Sequence, residues 1–204
     1  MTPKDIYDFH QWFHANYYAR LAGRGPSMYQ ALLLAVARNA KTFVETGTTR
    51  IADNWAGDGQ STIVLGAWCQ RFNGRLWTCD IAPQAITTCR TLTRSFKDFI
   101  DYHVGDSVEF LAKFSKPIDV LYLDSFDFPT TPDGDPNPSQ DHAVKEAQAA
   151  LPHLHNQSII IIDDCFLAHG GKGGKVVPFL LGQGWQVAGL GYQIVMTLAM
   201  PYRT

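Results

Sequence analysis

Six acidic side chains stand where apolar, strand-like stretches of the sequence end: Glu45, Asp80, Asp106, Asp124, Asp163 and Asp164. If these stretches form one parallel sheet, their carboxyl ends share an edge, and ligands of open α/β sheets bind at that edge. Helix capping explains a single acid there, as it would for Asp106. It explains six poorly, because like charges repel unless a cation lies between them. The pattern therefore predicts a functional cleft lined by carboxylates.

Three of these acids predict a metal site. Asp124 ends the stretch IDVLYL, and Asp163 and Asp164 follow the stretch SIIII, which we expect to form the neighbouring strand. Three close carboxylates make the hard oxygen site that Mg²⁺ or a similar divalent ion prefers. The alternative is that the Asp163–Asp164 pair only opens a turn. We favour the metal site, because Asp124 stands independently at the adjacent edge.

The turn after the first strand-like stretch has features of a ligand-binding turn. Gly47 would let the backbone turn tightly and approach a ligand. Ser61 or Thr62 would cap the next helix, whose free amides can meet an anion. Asp80 follows the second strand, where a carboxylate can accept hydrogen bonds from ribose hydroxyls. The alternative is an ordinary β–α turn, since the full fingerprint G-x-G-x-x-G is absent.

Alternating strand and helix signals predict the elements that position these residues. Near-continuous apolar strands separated by helices are typical of a parallel sheet covered on both faces. The last part of the chain, from Trp185 to Ala199, reads as two strands of an antiparallel hairpin. We therefore predict an α/β fold with a mostly parallel, seven-stranded sheet. Residues 1–40 are predicted to contain two helices that precede the sheet and form a cap. The five earlier strands are predicted at 42–46, 75–79, 99–104, 118–123 and 158–162.

Composition excludes several classes of function. The 204 residues are 46% hydrophobic and 18% charged, which is typical of one globular domain. A net charge of −2 gives no electrostatic footprint for nucleic acid or an anionic membrane. No apolar run reaches the length of a membrane helix, and the N-terminus has no signal-peptide pattern. Four cysteines without a C-x-x-C pair favour free thiols in a reducing cytoplasm.

Six short motifs together resemble class I S-adenosylmethionine-dependent methyltransferases: VETGT, GQST, TCD, VGDS, VLYLDS and IIIIDD. The resemblance spans roughly Thr42 to Thr197. It is greatest to the metal-dependent O-methyltransferases of the macrocin and novobiocin sugar type and their cephalosporin-hydroxylase-like relatives, and more distant to catechol O-methyltransferase. It implies a Rossmann-like methyltransferase domain over residues 41–204. The implied activity (EC 2.1.1 class) is Mg²⁺-dependent methyl transfer to a hydroxyl of a small sugar-type or phenol-type molecule. A homodimer is left open.

The resemblance also implies roles for individual residues. Glu45, Gly47 and Thr48 would line the methionine end of S-adenosylmethionine, and Ser61 and Thr62 would meet its carboxylate. Asp80 would hold the ribose, with Asp106 and Ser107 beside the adenine. Asp124, Asp163 and Asp164 match the metal triad, and Asp124 would also border the cofactor. Family members usually carry E/D-x-G-x-G-x-G, whereas here the segment IADNWA interrupts the glycines, and we expect it to form part of a lid.

Three residues are candidates for the general base that would take the hydroxyl proton. Asp127 lies one residue beyond the position of the base in the sugar-modifying relatives. His142 and His169 have the side chain with the most suitable ordinary pKa, although a packing role for His142 and an exposed loop position for His169 are alternatives. The loop HGGKGGK lacks the G-x-x-x-x-G-K-[ST] pattern of a phosphate loop. We expect its lysines, Lys172 and Lys175, to be solvated.

Two other functions are compatible with the sequence. A non-catalytic S-adenosylmethionine-binding protein would keep the fold and the cofactor without metal dependence or turnover. An NAD-dependent oxidoreductase would use Asp80, but the glycine fingerprint of that class is missing. An iron oxygenase is disfavoured because no 2-His-1-carboxylate set is visible.

Overall fold

A computed structural model describes residues 2–129, 131 and 133–198. Its centre is one seven-stranded sheet with the order β3-β2-β1-β4-β5-β7-β6. The first five strands are parallel, and β7 is antiparallel to both β5 and β6. The strands are β1 (Thr42–Thr46), β2 (Arg75–Asp80), β3 (Ile100–Val104), β4 (Ile118–Leu123), β5 (Leu154–Ile162), β6 (Trp185–Leu190) and β7 (Ile194–Leu198). The predicted α/β class, the parallel strands and the terminal hairpin are confirmed; the predicted strand end at Ala199 lies outside the described residues.

Seven α-helices surround the sheet. Proline stands in the first turn of four of them (α1, α2, α4 and α6), where its missing N–H leaves no helical hydrogen bond unmade. The helices are α1 (Pro3–Phe13), α2 (Gly25–Ala37), α3 (Ser61–Phe72), α4 (Pro83–Leu92), α5 (Ser107–Ala112), α6 (Asn137–Ala150) and α7 (Gly173–Gly182). A π-helical turn over His14–Tyr18 follows α1 directly.

The isoleucine run of β5 shows how the sheet is buried on both faces. Ile159 and Ile161 pack into one core, with residues of α1, α2 and α3. Ile160 and Ile162 pack into the other core, with residues of α5, α6 and α7. All four side chains are fully buried. Since side chains alternate across a strand, a continuous apolar run is what a central strand with two covered faces requires.

The N-terminal helices are part of the main core. Phe9, Phe13, Leu21 and Met28 are fully buried and belong to the same cluster as residues of β1, β4 and β5. A separate cap over residues 1–40 therefore stays a prediction, while the packing holds this segment against the sheet. This packing also positions Arg24, which lies between α1 and α2 and contacts Asp163 at the carboxyl end of β5.

Two further sequence expectations concern the environment of the protein. The four cysteines are free thiols and all are buried. Among the residues that the structure describes, none of the helices combines the length and apolarity needed to cross a bilayer.

Candidate active site

A cavity of about 740 Å³ lies at the carboxyl ends of the parallel strands. The turn after β1 and the end of β2 form one part of it, and the ends of β4 and β5 form another. This is the edge at which ligands bind in open α/β sheets. The polar side chains that line it belong to Arg24, Thr48, Arg50, Asp58, Asp80, Asp124, Ser125, Asp127, Thr131, Asp164, His169 and Tyr192.

Gly47 allows the first turn to pass close to the end of β4. Its φ angle is +78°, and a Cβ atom there would lie 2.4 Å from the backbone oxygen of Asp124. Its N–H donates to the Cys79 carbonyl oxygen at 2.9 Å. The position therefore requires glycine for both conformation and space, and the turn lines the cavity as the sequence predicted.

The two acids predicted to contact the nucleoside lie in different surroundings. Asp80 lines the cavity, and one of its carboxylate oxygens accepts a hydrogen bond from the Ala82 N–H at 2.8 Å. Burial raises the pKa of Asp80. Asp106 is exposed and caps α5 by accepting from the Glu109 N–H at 2.9 Å, which is the capping role considered above. Neither Asp106 nor Ser107 contributes to the cavity lining, so their contact with adenine stays a prediction.

Glu45 faces a buried hydroxyl network. Its Oε2 atom accepts hydrogen bonds from Thr62 and Thr78, both at 2.7 Å, while its Oε1 atom has no partner among the described residues. Thr62 also accepts a hydrogen bond from the Thr49 N–H. Burial raises the pKa of Glu45 to about 7, although the hydroxyls of Ser61, Thr78 and Thr62 act to lower it.

This network lies behind the turn after β1. Glu45, Ser61 and Thr62 are all buried and do not line the cavity, whereas Gly47 and Thr48 do. The hydroxyl of Thr62 binds Glu45 and accepts the Thr49 N–H, and so holds the turn. Contact of Glu45, Ser61 and Thr62 with the methionine end of the cofactor stays a prediction.

The predicted acidic triad converges. Carboxylate oxygens of Asp124, Asp163 and Asp164 all lie within 4.8 Å of one another, at the ends of the paired strands β4 and β5. Asp163 is fully buried, whereas Asp124 and Asp164 also line the cavity. Three carboxylates this close need a cation.

Arg24 supplies one cation and was not predicted from the sequence. Its Nε atom lies 3.0 and 2.9 Å from the two carboxylate oxygens of Asp163, and Nη2 donates to Asp164 at 3.1 Å. Nη1 donates to the Ala56 carbonyl oxygen at 3.1 Å, which attaches the inserted segment to the cluster. The Tyr192 ring lies 4.4 Å from the guanidinium carbon. Arg24 is thus held on several sides while still lining the cavity.

Lys172 supplies the second cation, and the prediction that it is solvated was wrong. Its side chain is only 4% exposed, and its Nζ atom donates to Asp124 and lies 3.3 Å from Asp164. Burial alone would lower the pKa of Lys172, but the surrounding carboxylates outweigh it and raise that pKa. Lys175, by contrast, is partly exposed and pairs with the exposed Asp141 at 2.6 Å.

Glycines in the loop HGGKGGK bring Lys172 to this position. Gly171 has a φ angle of +54°, and a Cβ atom there would lie 1.5 Å from the Asp164 carbonyl oxygen. A Cβ atom at Gly174 would lie 2.3 Å from the side-chain nitrogen of Gln140. The loop can therefore lie directly against the end of β5 and α6. The motif shapes the backbone around a buried lysine, which is a different use of glycine from a phosphate loop.

Asp127 and His142 are both held by other side chains. Arg50 binds Asp127 through two hydrogen bonds of 3.0 Å, and these lower the pKa of that carboxyl. The Nε2 atom of His142 lies 2.9 Å from the Ser107 hydroxyl oxygen, outside the cavity lining. A hydrogen bond with Glu146 raises the pKa of His142. Both residues are therefore less suited to deprotonating a ligand in the cavity than the sequence suggested.

His169 lines the cavity, as Asp127 does, but its ring is not held by another described side chain. Its side chain is exposed, and no described residue forms a hydrogen bond with its ring. Its φ angle of +56° is unusual for a residue other than glycine, and the hydrogen bond from Gln140 to its carbonyl oxygen helps to hold that conformation. The imidazole ring can therefore accept a proton from a ligand in the cavity.

The chain is similar to known methyltransferases. A family model described as "Methyltransferase domain" matches residues 56–165. Among solved structures, the SAH-bound methyltransferase PaMTH1 of Podospora anserina has 13% identity and a TM-score of 0.62, covering 98% of this chain and 89% of its own. An O-methyltransferase from Bacillus cereus in complex with SAH has 16% identity and a TM-score of 0.59, covering 98% and 92%.

A third solved structure, the O-methyltransferase NovP, has 12% identity and a TM-score of 0.55, with 84% of this chain and 77% of that chain covered. At these identities the likeness to the solved structures shows a shared fold. No curated protein matches the sequence significantly.

Proposed function

The chain belongs to the methyltransferase domain family, and on that premise we propose that it transfers a methyl group from S-adenosylmethionine to a hydroxyl of a small molecule. Membership of the family confirms the predicted enzyme class and removes the reason to consider an NAD-dependent oxidoreductase. The proposal of methyl transfer to a hydroxyl rests on one continuous cavity. It connects Gly47 and Asp80 with the cluster around Asp124, Asp164 and Arg24.

The cofactor part of the proposal rests on the β1 and β2 ends. PaMTH1 and the Bacillus cereus enzyme were solved with SAH, the product that S-adenosylmethionine leaves after transfer. In this chain, Asp80 would accept hydrogen bonds from the ribose hydroxyls, and Gly47 and Thr48 would border the methionine end. A cavity of about 740 Å³ lies within the usual range for small-molecule sites.

The acceptor part rests on the β4 and β5 ends. His169 would take the hydroxyl proton on its imidazole nitrogen as the oxygen attacks the methyl carbon. The oxygen–carbon bond forms while the carbon–sulfur bond of the sulfonium breaks, and sulfur keeps the electron pair. Alignment of the two reactants would provide much of the acceleration.

The lining limits the class of acceptor. Five aspartates outnumber two arginines in the lining, and this excess of negative charge opposes a negatively charged acceptor; the residues are Asp58, Asp80, Asp124, Asp127, Asp164, Arg24 and Arg50. Apolar side chains at the same cavity, among them Phe128 and Leu167, offer a surface for a ring. A neutral or cationic acceptor with a sugar-type or phenol-type hydroxyl fits both features.

Mg²⁺, or another divalent cation, was expected at the triad, and the surroundings fit it poorly. The donor set is suitable, because three carboxylates converge. Each of the three, however, already accepts a hydrogen bond from Arg24 or Lys172. A divalent ion bound by all three would have to displace these contacts beside two positive charges. We therefore assign no step of the transfer to a metal, and Mg²⁺ dependence stays a prediction.

Calorimetric titration with S-adenosylmethionine, SAH and NAD tests the cofactor proposal. We expect the first two to bind and NAD not to bind. Mass-spectrometric detection of SAH, formed with a panel of sugar and phenol acceptors, then separates an enzyme from a non-catalytic binding protein. Preference for NAD, or S-adenosylmethionine binding without turnover on any hydroxyl acceptor, would contradict the proposal.

A further inference from the structure

We propose that Arg24 and Lys172 take the place of a divalent metal ion at the acidic triad, so that this chain transfers the methyl group without a metal. The inference rests on the proposed function for its catalytic consequence. Its structural part, that the triad does not bind a divalent ion, stands on the contacts of the two cations alone.

Arg24 is the cation on the cavity side. Its three hydrogen-bonding nitrogens each use one N–H on Asp163, Asp164 or the Ala56 carbonyl oxygen. A guanidinium group has five N–H donors, so two remain. Because Arg24 lines the cavity, these two can meet an acceptor oxygen there. The guanidinium would then hold a developing negative charge on that oxygen, as a metal ion does in a metal-dependent enzyme.

The backbone around Arg24 holds its guanidinium group in a defined position. Gly59 has a φ angle of +71°, and a Cβ atom there would lie 2.9 Å from the Arg24 Nε atom. The backbone at Gly59 can therefore lie this close to the guanidinium only because glycine has no side chain. Together with the Tyr192 ring on its face, this packing fixes the direction of the remaining donors.

Lys172 is the cation on the protein side. It is buried, it binds Asp124 and Asp164, and it is not part of the cavity lining. Its role is therefore positioning: it offsets the charge of Asp124 and Asp164 and holds both carboxylates in place.

The charges of the cluster favour this reading over a metal site. Three carboxylates and two cations sum to −1. A divalent ion would change that sum to +1 in a largely buried place, beside two like charges. The transfer itself balances without a metal: the hydroxyl proton passes to the His169 imidazole, the oxygen–methyl bond forms and the methyl–sulfur bond breaks.

Titration with Mn²⁺, followed by electron paramagnetic resonance, tests the inference without using activity. We expect no stoichiometric Mn²⁺ binding by the wild-type protein at Mn²⁺ concentrations from equimolar with the protein up to the millimolar range. Lys172→Met removes one built-in cation and should bind one Mn²⁺ at least about tenfold more tightly than the wild type, because a like-charge neighbour is gone. Lys175→Met, three residues further on in the first turn of α7, is the matched control and should resemble the wild type.

Two results of the Mn²⁺ titration would overturn the inference: one Mn²⁺ bound by the wild-type protein and lost in Asp124→Asn, or Lys172→Met binding no more tightly than Lys175→Met. If Lys172→Met does not fold by circular dichroism, the wild-type and Asp124→Asn titrations decide. Methyl transfer with excess EDTA is a separate readout. Full activity supports the inference, and loss of activity restored by Mg²⁺ overturns it. Absence of turnover with and without metal contradicts the proposed function, while the Mn²⁺ result still decides the metal question.

Discussion

The Nε atom of Arg24 lies 3.0 and 2.9 Å from the two carboxylate oxygens of Asp163, across 139 positions of the chain. Both side chains are buried. The pair joins the segment between the N-terminal helices to the carboxyl end of β5, and so connects the fold of the first 40 residues to the geometry of the cavity. Breaking a buried pair by removing one partner is costly, because the other charge stays buried.

Asp163→Ala should therefore destabilise the protein by roughly 3–5 kcal/mol, the usual effect of leaving a buried charge without its partner. The matched control is Asp127→Ala, which removes the partner of Arg50 from an exposed pair. We expect that change to cost about 1 kcal/mol or less. Urea unfolding measures both free energies. Equal losses in the two variants would mean that the Arg24–Asp163 contact does not carry the energy assigned to it.

The acidic triad could be predicted from the sequence, whereas its cations could not. Asp124 and Asp163 end two apolar runs, and strand pairing alone brings the ends of such runs together. Arg24 ends a 3₁₀ turn directly before α2, and Lys172 follows two glycines with positive φ angles. Where each side chain lies depends on these turns and on contacts with distant parts of the chain. One signal was available: both cations are flanked by glycine, in the sequences GRG and GKG, beside an unexplained excess of acids.

Gly47→Ala should cost more than the left-handed backbone conformation alone, because its Cβ atom would lie 2.4 Å from the Asp124 carbonyl oxygen. Gly184→Ala is the control, since Gly184 has a φ angle of +87° with nothing within 4 Å of the added atom. The control should lose about 1 kcal/mol. Gly47→Ala should lose more and should also weaken S-adenosylmethionine binding. Thermal unfolding and calorimetry measure the two effects, and equal losses of stability with unchanged binding would contradict the close approach.

Glu45 should make stability fall as the pH rises. Its pKa in the folded protein is about 7, above the ordinary value of 4.5, because burial disfavours its charged form. Between these two pH values the unfolded chain releases the proton before the folded chain does. Stability is therefore full below about pH 4.5, declines up to about pH 7 and then stays level. The expected loss is on the order of 3 kcal/mol.

Glu45→Gln tests this linkage, because glutamine keeps the shape and does not titrate. The difference in unfolding free energy between Glu45→Gln and the wild type should change by about 3 kcal/mol between pH 4.5 and 7.5. Glu109→Gln makes the same substitution at an exposed glutamate and is the control for the substitution itself. Parallel pH dependences of wild type and Glu45→Gln would show that Glu45 ionises normally in the folded state.

The orientation of Glu45 marks a limit of prediction from strand ends. The sequence places both Glu45 and Asp80 at the carboxyl edge, and the structure confirms this for the backbone of each. Alternation along a strand then decides which way the side chain points. Glu45 meets the hydroxyls of Thr62 and Thr78, whereas Asp80, at the last position of β2, lines the cavity. The two cases differ in tertiary packing, which brings Thr62 of α3 and Thr78 of β2 to the Glu45 carboxylate.

Asp80→Asn should weaken S-adenosylmethionine binding by roughly 10-fold to 100-fold, since a hydrogen bond to a charged acceptor contributes about 1.5–3 kcal/mol. Asparagine keeps the size of the side chain and can still accept from the Ala82 N–H, so the fold should not change. Asp106→Asn is the control, because asparagine also caps helices well and Asp106 does not line the cavity. Calorimetry compares the two affinities, and the same affinity in both variants would remove Asp80 from the cofactor site.

His169→Gln should lower kcat by about 10²-fold or more while S-adenosylmethionine binding stays unchanged, which is the usual contribution of a general base. Asp127→Asn and His142→Gln are the comparison variants, since Arg50 holds the first and Ser107 lies beside the second. Each of these should change kcat less than His169→Gln does. The measurement is kcat of the three variants and the wild type with the best hydroxyl acceptor found. A larger loss in Asp127→Asn would instead make Asp127 the base and require the Arg50 pair to open when the acceptor binds.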